Sequence, residues 1–186
     1  MQSLSAKVVM LTLGLTVAAG AGADNAGVPY RQVADMLYEL AFANRTVYTR
    51  DIVQRLGNES VVIASEHYID EKGLPLPAQM FRLATEQIET NDFWLSLRSL
   101  TPINFANGPL TPLEEQGLEY VKANPDEGFY AEDDSGGQPS FVAVYADVAS
   151  VEACVACHNG HPDSPRRDFK LGDVMGGVIV RLFAPE

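Results

Sequence analysis

The chain has 186 residues, 46% of them apolar, with 25 acidic against 13 basic side chains and a formal net charge of −12 at neutral pH. That length suits one domain with a single core. The sign of the charge argues against nucleic acid and anionic membrane as partners, while permitting a basic redox partner.

Residues 1–23 read as a secretory signal. Lys7 makes the start positive, Val8 to Ala19 is apolar, and Ala21-Gly22-Ala23 fits a small-residue cleavage site. The apolar run is shorter than the roughly 18 to 20 residues that span a bilayer. Cleavage is therefore expected, with no stable membrane insertion afterwards, leaving 24–186 as one periplasmic domain.

From Val28 to Leu56 apolar residues recur at helical intervals, among them Val33, Met36, Leu37, Leu40 and Ala41. This predicts one long or broken helix, with Pro29 at an early position. The same helix is the element through which a homodimer would pair. A second, weaker helix is predicted over Glu59–Tyr68, ended by the 71–77 stretch where Pro75 and Pro77 remove backbone donors. A third is predicted over Ala78–Glu89.

Phe93–Leu100 alternates imperfectly and reads as a strand, and Thr101–Pro112 is a loop rich in proline and asparagine. Thr111-Pro112-Leu113-Glu114 resembles a capped helix start, and that helix reaches about Ala123. Gly128–Glu132 and Ser140–Val148 read as strands on either side of a turn at Asp133–Gly137, and a last strand covers Gly176–Phe183. Helices first, then a small antiparallel sheet interrupted by a loop carrying both cysteines, predict an α+β domain.

Cys154-Val155-Ala156-Cys157-His158 has the C-x-x-C-H spacing of c-type haem attachment. Two thiols at that distance can form thioethers with the two vinyl groups of one macrocycle, while the adjacent imidazole is delivered to its iron. Covalent attachment also keeps the cofactor from being lost outside the cell. Other readings compete. A small-loop disulfide of the thioredoxin kind expects a βαβ setting that is missing around these residues. Zinc on Cys154, Cys157, His158 and His161 would need more widely separated ligand pairs. The spacing could also be accidental.

His158 is the expected proximal ligand of haem iron, and Cys154 and Cys157 are the expected attachment points. Met80 is the candidate for the opposite axial position, although a buried methionine is commonly core filler. His67, beside Glu66 and Asp70, reads as a solvent-facing helical residue, and Met36 and Met175 are weaker ligand candidates. A vacant or water-filled position would instead suit a gas such as nitric oxide or carbon monoxide. His161 reads as a loop or propionate contact. Arg166, Arg167 and Lys170 form a basic cluster that either pairs with propionates or is a solvated loop, and Arg82 and Arg98 carry the same ambiguity.

Leu74-Pro75-Leu76-Pro77-Ala78, the Pro102–Pro109 loop with Glu114, and above all Cys154 through Gly177 are similar to the haem-c-binding PAS-like domains of bacterial periplasmic sensors. In the last stretch Cys157-His158-Asn159-Gly160-His161-Pro162-Asp163-Ser164-Pro165 and Asp168-Phe169-Lys170-Leu171-Gly172-Asp173-Val174 match nearly residue by residue. The resemblance implies a PAS-like antiparallel sheet with N-terminal helices and one covalently bound haem c, used in redox or gas sensing. Many such relatives are input modules fused to chemoreceptors, cyclases or kinases. Here the chain stops three residues past its last predicted strand, so signalling through an output domain of its own is not expected. Some relatives place a cysteine on the distal face, a role that a chain with 2 cysteines, both in the motif, cannot fill.

The first expectation for function is a periplasmic mono-haem c-type cytochrome acting in electron transfer or redox response with a partner protein. The alternative is a haem-based sensor of redox state or of a small diatomic ligand, signalling through a separate partner. An enzyme acting on peroxide or nitrogen oxides comes last, because no distal acid–base residue can be named.

Overall fold

Val33, Ala34, Leu37, Tyr38 and Ala41 fall on one side of a helical turn pattern, and the first helix, α1 (Tyr30–Val47), lays that side against a sheet. Pro29 stands just before it, where a missing N–H leaves no bond unmade. In the computed structural model, which describes residues 27–88 and 90–185, α1 runs on without a break into a π-helical segment (Tyr48–Gln54) and a short α2 (Arg55–Asn58). The signal expected over 1–23 lies outside these residues. The long or broken helix is thus one rod whose middle is widened by π turns, a feature concentrated at functional sites.

The helix predicted over Glu59–Tyr68 does not form. The rod ends at Gly57-Asn58, and Ser60 takes a left-handed turn at φ 56. The β-branched run Val61-Val62-Ile63 resists a helix. The chain instead pairs Ile63 and Ser65 with Leu74: the Leu74 N–H donates to Ile63 O at 2.9 Å, and the Ser65 N–H donates to Leu74 O at 3.0 Å. Gly73 permits this approach, since a Cβ there would sit 2.7 Å from Ile63 O. α3 (Pro77–Thr85) follows, started by Pro77 and by Gln79, whose Oε1 accepts from the Leu76 N–H at 2.9 Å.

Four strands, β1 (Phe93–Arg98), β2 (Phe129–Asp133), β3 (Ser140–Val148) and β4 (Val174–Phe183), form one antiparallel sheet in the order β1-β4-β3-β2. Alternation divides its side chains between two faces. Ala143, Tyr145, Val178, Val180 and Leu182 meet α1 and Phe81 of α3 on one face. Val142, Val144, Ala146 and Ile179 meet Leu118 and Val121 of α4 (Pro112–Ala123) on the other. Gly117 lets α4 close onto the sheet, because a Cβ at that position would lie 2.6 Å from Val144 Cγ2. The domain is α+β, as expected, and no described helix is long and apolar enough to cross a membrane.

Candidate functional site

The cysteines do not sit in the loop that the sequence pattern suggested. The segment after β3 folds into α5 (Glu152–Gly160), and a remote side chain holds its first turn: the Ala153 N–H donates to Gln54 Oε1 of the π segment at 3.1 Å. Weak apolar periodicity hides this helix, and tertiary capping supplies what the local sequence lacks. Helical spacing then puts Cys154, Cys157 and His158 on one face, at positions i, i+3 and i+4. Cys154 and Val155 pack on a small cluster of Ala149, Phe169 and Met175, whereas Cys157 is exposed. Both thiols are free.

The residues beyond α5 brace it from behind. The Asn159 amide closes a two-way clasp on Phe169, donating to its carbonyl and accepting from its N–H, each at 3.0 Å. Phe169 stands edge-on to the His158 ring at 5.8 Å between centroids and carries the Arg166 guanidinium 4.2 Å above its own face. At the base, the Ala149 N–H donates to Asp173 O and the Gly172 N–H donates to Ala149 O, which join the two ends of the excursion between β3 and β4.

Burial, reinforced by the Arg45 guanidinium and by His161, pushes the His158 imidazole below its ordinary value and favours the neutral ring. Desolvation, and then the neighbouring Cys154, raise the Cys157 thiol, although the residue keeps an exposed edge. Arg45, in the last turn of α1, is ion-paired with Asp147 at the foot of α5, and its Nε–H has no partner among the described residues. Burial lowers this guanidinium against the raising influence of Cys154 and Tyr38.

A protein-family model described as Tll0287-like matches residues 24–182. The chain belongs to the Tll0287-like family. Its fold is similar to that in a crystal structure of the cyanobacterial heme-protein Tll0287, with a TM-score of 0.52 and 17% sequence identity over 86% of this chain and 99% of that one. No curated protein matches the chain significantly.

In this Tll0287-like chain the remaining candidates scatter. Met80 is half-buried on α3, and α3 and α5 both lie against the π segment. His67 is exposed, as expected, but stands in a turn beside Glu66. Met36 is exposed on α1, and Met175 is buried in the cluster under Cys154. His161 ends α5, its Nδ1 accepting from the Asp163 N–H at 3.1 Å. The basic cluster is partly consumed internally: Arg166 binds Asp168 and Asp173 at 2.7 Å each, and Arg167 donates to Pro162 O. Arg82 pairs with Glu86 on the surface, and Arg98 donates to Ala106 O at 2.7 Å. Among the described residues no three His, Cys, Asp or Glu side chains converge as a metal cage, which gives the zinc reading no support.

Gln54, Arg45 and Asp147 are the site residues that sequence reasoning missed. Each lies in a different element, and no local spacing connects them to the cysteines. Two signature residues gain a structural reason. The buried Glu114 accepts from the Leu110 N–H at 2.7 Å and so closes the 102–109 loop onto α4, and the Tyr48 hydroxyl donates to Pro75 O at 2.7 Å, tying the Leu74–Ala78 segment to the π turns.

Proposed function

We propose that this is an exported mono-haem c-type protein of the periplasm, with thioether links at Cys154 and Cys157 and His158 as an iron ligand. One observation carries the reading: the C-x-x-C-H residues lie on one face of a helix braced on both sides, by Gln54 before it and by the Asn159–Phe169 clasp after it. Membership of a family that includes a heme-protein supports it.

The chain's own groups fit such a cofactor. Cys157 offers an exposed thiol, and Cys154 stands one turn back against an apolar floor. The unpartnered Nε–H of Arg45 is a donor suited to a propionate carboxylate. Haem would supply one-electron chemistry at its iron. The protein's part is to hold the imidazole by the packing of Phe169, to fix α5 against the rod, and to place a cation at the rear of the site. A PAS-like sheet belongs to the same proposal, supported by the antiparallel order and the preceding helices. Electron transfer or redox response is the favoured role, with Met80 as the second ligand because its helix reaches the same π segment as α5.

The test is secretion from a host that matures c-type cytochromes. Mass spectrometry should show one haem added to the chain, with Soret absorbance, and both should vanish when Cys154 and Cys157 are replaced by serine. An unmodified polypeptide overturns the proposal. Loss of a methionine-to-iron charge-transfer band in Met80→Ala supports Met80. Immediate carbon monoxide binding, with spectra unchanged in that variant, removes Met80 and points to the gas-sensing role.

A further inference from the structure

Three tyrosine rings and one carboxylate meet between α1 and the sheet. Tyr130 of β2 and Tyr145 of β3 sit on one face of neighbouring strands, and both hydroxyls donate to the same oxygen, Asp35 Oδ1 of α1, at 2.9 Å and 2.7 Å. Tyr145 is buried, at 6% exposure, and Asp35 is half-buried. Tyr38, about one turn further along α1, stacks on Tyr145 with 4.3 Å between ring centroids and 8° between planes, while Tyr130 stands edge-on to Tyr145 at 6.0 Å. The stack has two ends. At one, Tyr130 lies against Phe141 and Phe141 against Tyr30, each at 6.1 Å, and Tyr30 is 42% exposed. At the other, the Tyr38 hydroxyl donates to the carbonyl of Ala146, the residue before Asp147.

We propose that Tyr145, with Asp35 as its proton acceptor, is a one-electron redox site that takes up the oxidising equivalent of a small inorganic radical such as nitrogen dioxide. The step balances: Tyr145 gives up one electron and its hydroxyl proton, the proton crosses the 2.7 Å bond to Asp35 Oδ1, and nitrogen dioxide leaves as nitrite. An oxidised phenol is a strong acid, so a carboxylate already bonded to its hydroxyl lets electron and proton depart together. Burial, and then Asp35, raise the Tyr145 hydroxyl above its ordinary value, so the ring keeps its proton until the electron leaves. Surroundings select Tyr145 among the three rings. The Tyr38 hydroxyl meets a backbone carbonyl, which takes no proton. The Arg31 guanidinium lies 4.2 Å over the Tyr130 ring, where a cation opposes the loss of an electron. Tyr145 has the shorter bond to the carboxylate and a parallel ring beside it. Its electron leaves by way of Tyr130, Phe141 and Tyr30, so the oxidant reacts at the surface. Burial then keeps the phenoxyl from coupling with a second radical, the usual fate of an exposed one.

Electron paramagnetic resonance of the purified exported protein, frozen at increasing delays after oxidation by photogenerated ruthenium(III) tris-bipyridine, tests this. The expected result is a tyrosyl signal that outlasts those of the exposed tyrosines and is lost in Tyr145→Phe and in Asp35→Asn. It should be unchanged in Tyr120→Phe, the matched comparison, since the Tyr120 hydroxyl also donates to a carboxylate, Glu127 at 2.7 Å, but on the surface. Circular dichroism checks that each variant is folded. Two measurements stand in for a variant that is not. Difluorotyrosine in place of Tyr145 should add fluorine splitting to the lasting signal, and Tyr130→Phe in heavy water should keep one deuteron coupled to the phenoxyl oxygen, the one passed to Asp35. The inference is overturned by the absence of a lasting signal in the wild type, by one that survives in folded Tyr145→Phe or Asp35→Asn, or by one lacking the fluorine splitting or the coupled deuteron. The readout is a tyrosine radical and does not depend on haem, so its failure is distinct from failure of the haem reading.

Discussion

Asn159→Ala should open the brace behind α5 at a calculable cost. The amide makes two part-buried hydrogen bonds to the Phe169 backbone, both at 3.0 Å. Each bond contributes about 1 kcal/mol net, and a buried backbone group left without a partner costs about 1 to 3 kcal/mol. Some water reaches this edge, so the loss should be about 2 to 3 kcal/mol, or about 5 to 10 °C in Tm for a domain of this size. Gln138→Ala is the matched control. It removes one exposed side-chain bond, to Ala184 O at 3.1 Å, and should stay within about 0.5 kcal/mol of wild type. Urea unfolding followed by circular dichroism reads both, with the slope checked for a change in the unfolded state. Limited proteolysis supplies a local readout, since cleavage between Asn159 and Phe169 should accelerate in the alanine variant. If Asn159→Ala lies within about 0.5 kcal/mol of wild type and is cut no faster, the clasp does not hold the helix and the reasoning fails.

Further outcomes follow from the same contacts. Asp133 accepts from Ser135 and from Arg181 at 2.7 Å, which lowers its carboxyl from 3.8 to about 2. That stabilisation is complete above about pH 5 and is lost as pH falls from about 4 towards 2, where the folded carboxylate finally takes its proton. Asp133→Asn should therefore be less stable than wild type by about 2 kcal/mol at neutral pH, a gap that closes over that acid window in denaturation titrations. Gly117→Ala should cost about 1 to 2 kcal/mol despite the better helix propensity of alanine, because its Cβ meets Val144 Cγ2 at 2.6 Å, and the measured Tm should fall rather than rise. Arg45→Met leaves Asp147 buried without its cation and should cost about 3 to 5 kcal/mol, and the added change Asp147→Leu should restore much of it in thermal melts.

What could be read from sequence here is what depends on neighbours along the chain. The Thr111-Pro112 start of α4 forms as expected because its cap is local: the Glu114 N–H donates to Thr111 Oγ1 three residues back. The β2–β3 hairpin likewise follows from its turn and its alternating flanks. The C-x-x-C-H residues announce themselves because the chemistry they suit is set by spacing within five positions. Tertiary structure decided the rest, since distant groups supply the free energy. α5 forms where a loop was expected because Gln54, nearly a hundred residues earlier, caps it and Phe169 closes behind it. The 59–68 helix fails because pairing with Leu74 satisfies its backbone better than a β-branched helix would. Arg45 enters the site only because α1 folds across the end of β3 to reach Asp147. A one-dimensional pattern carries period and local caps, whereas the order β1-β4-β3-β2 and every contact across it depend on which faces meet in three dimensions.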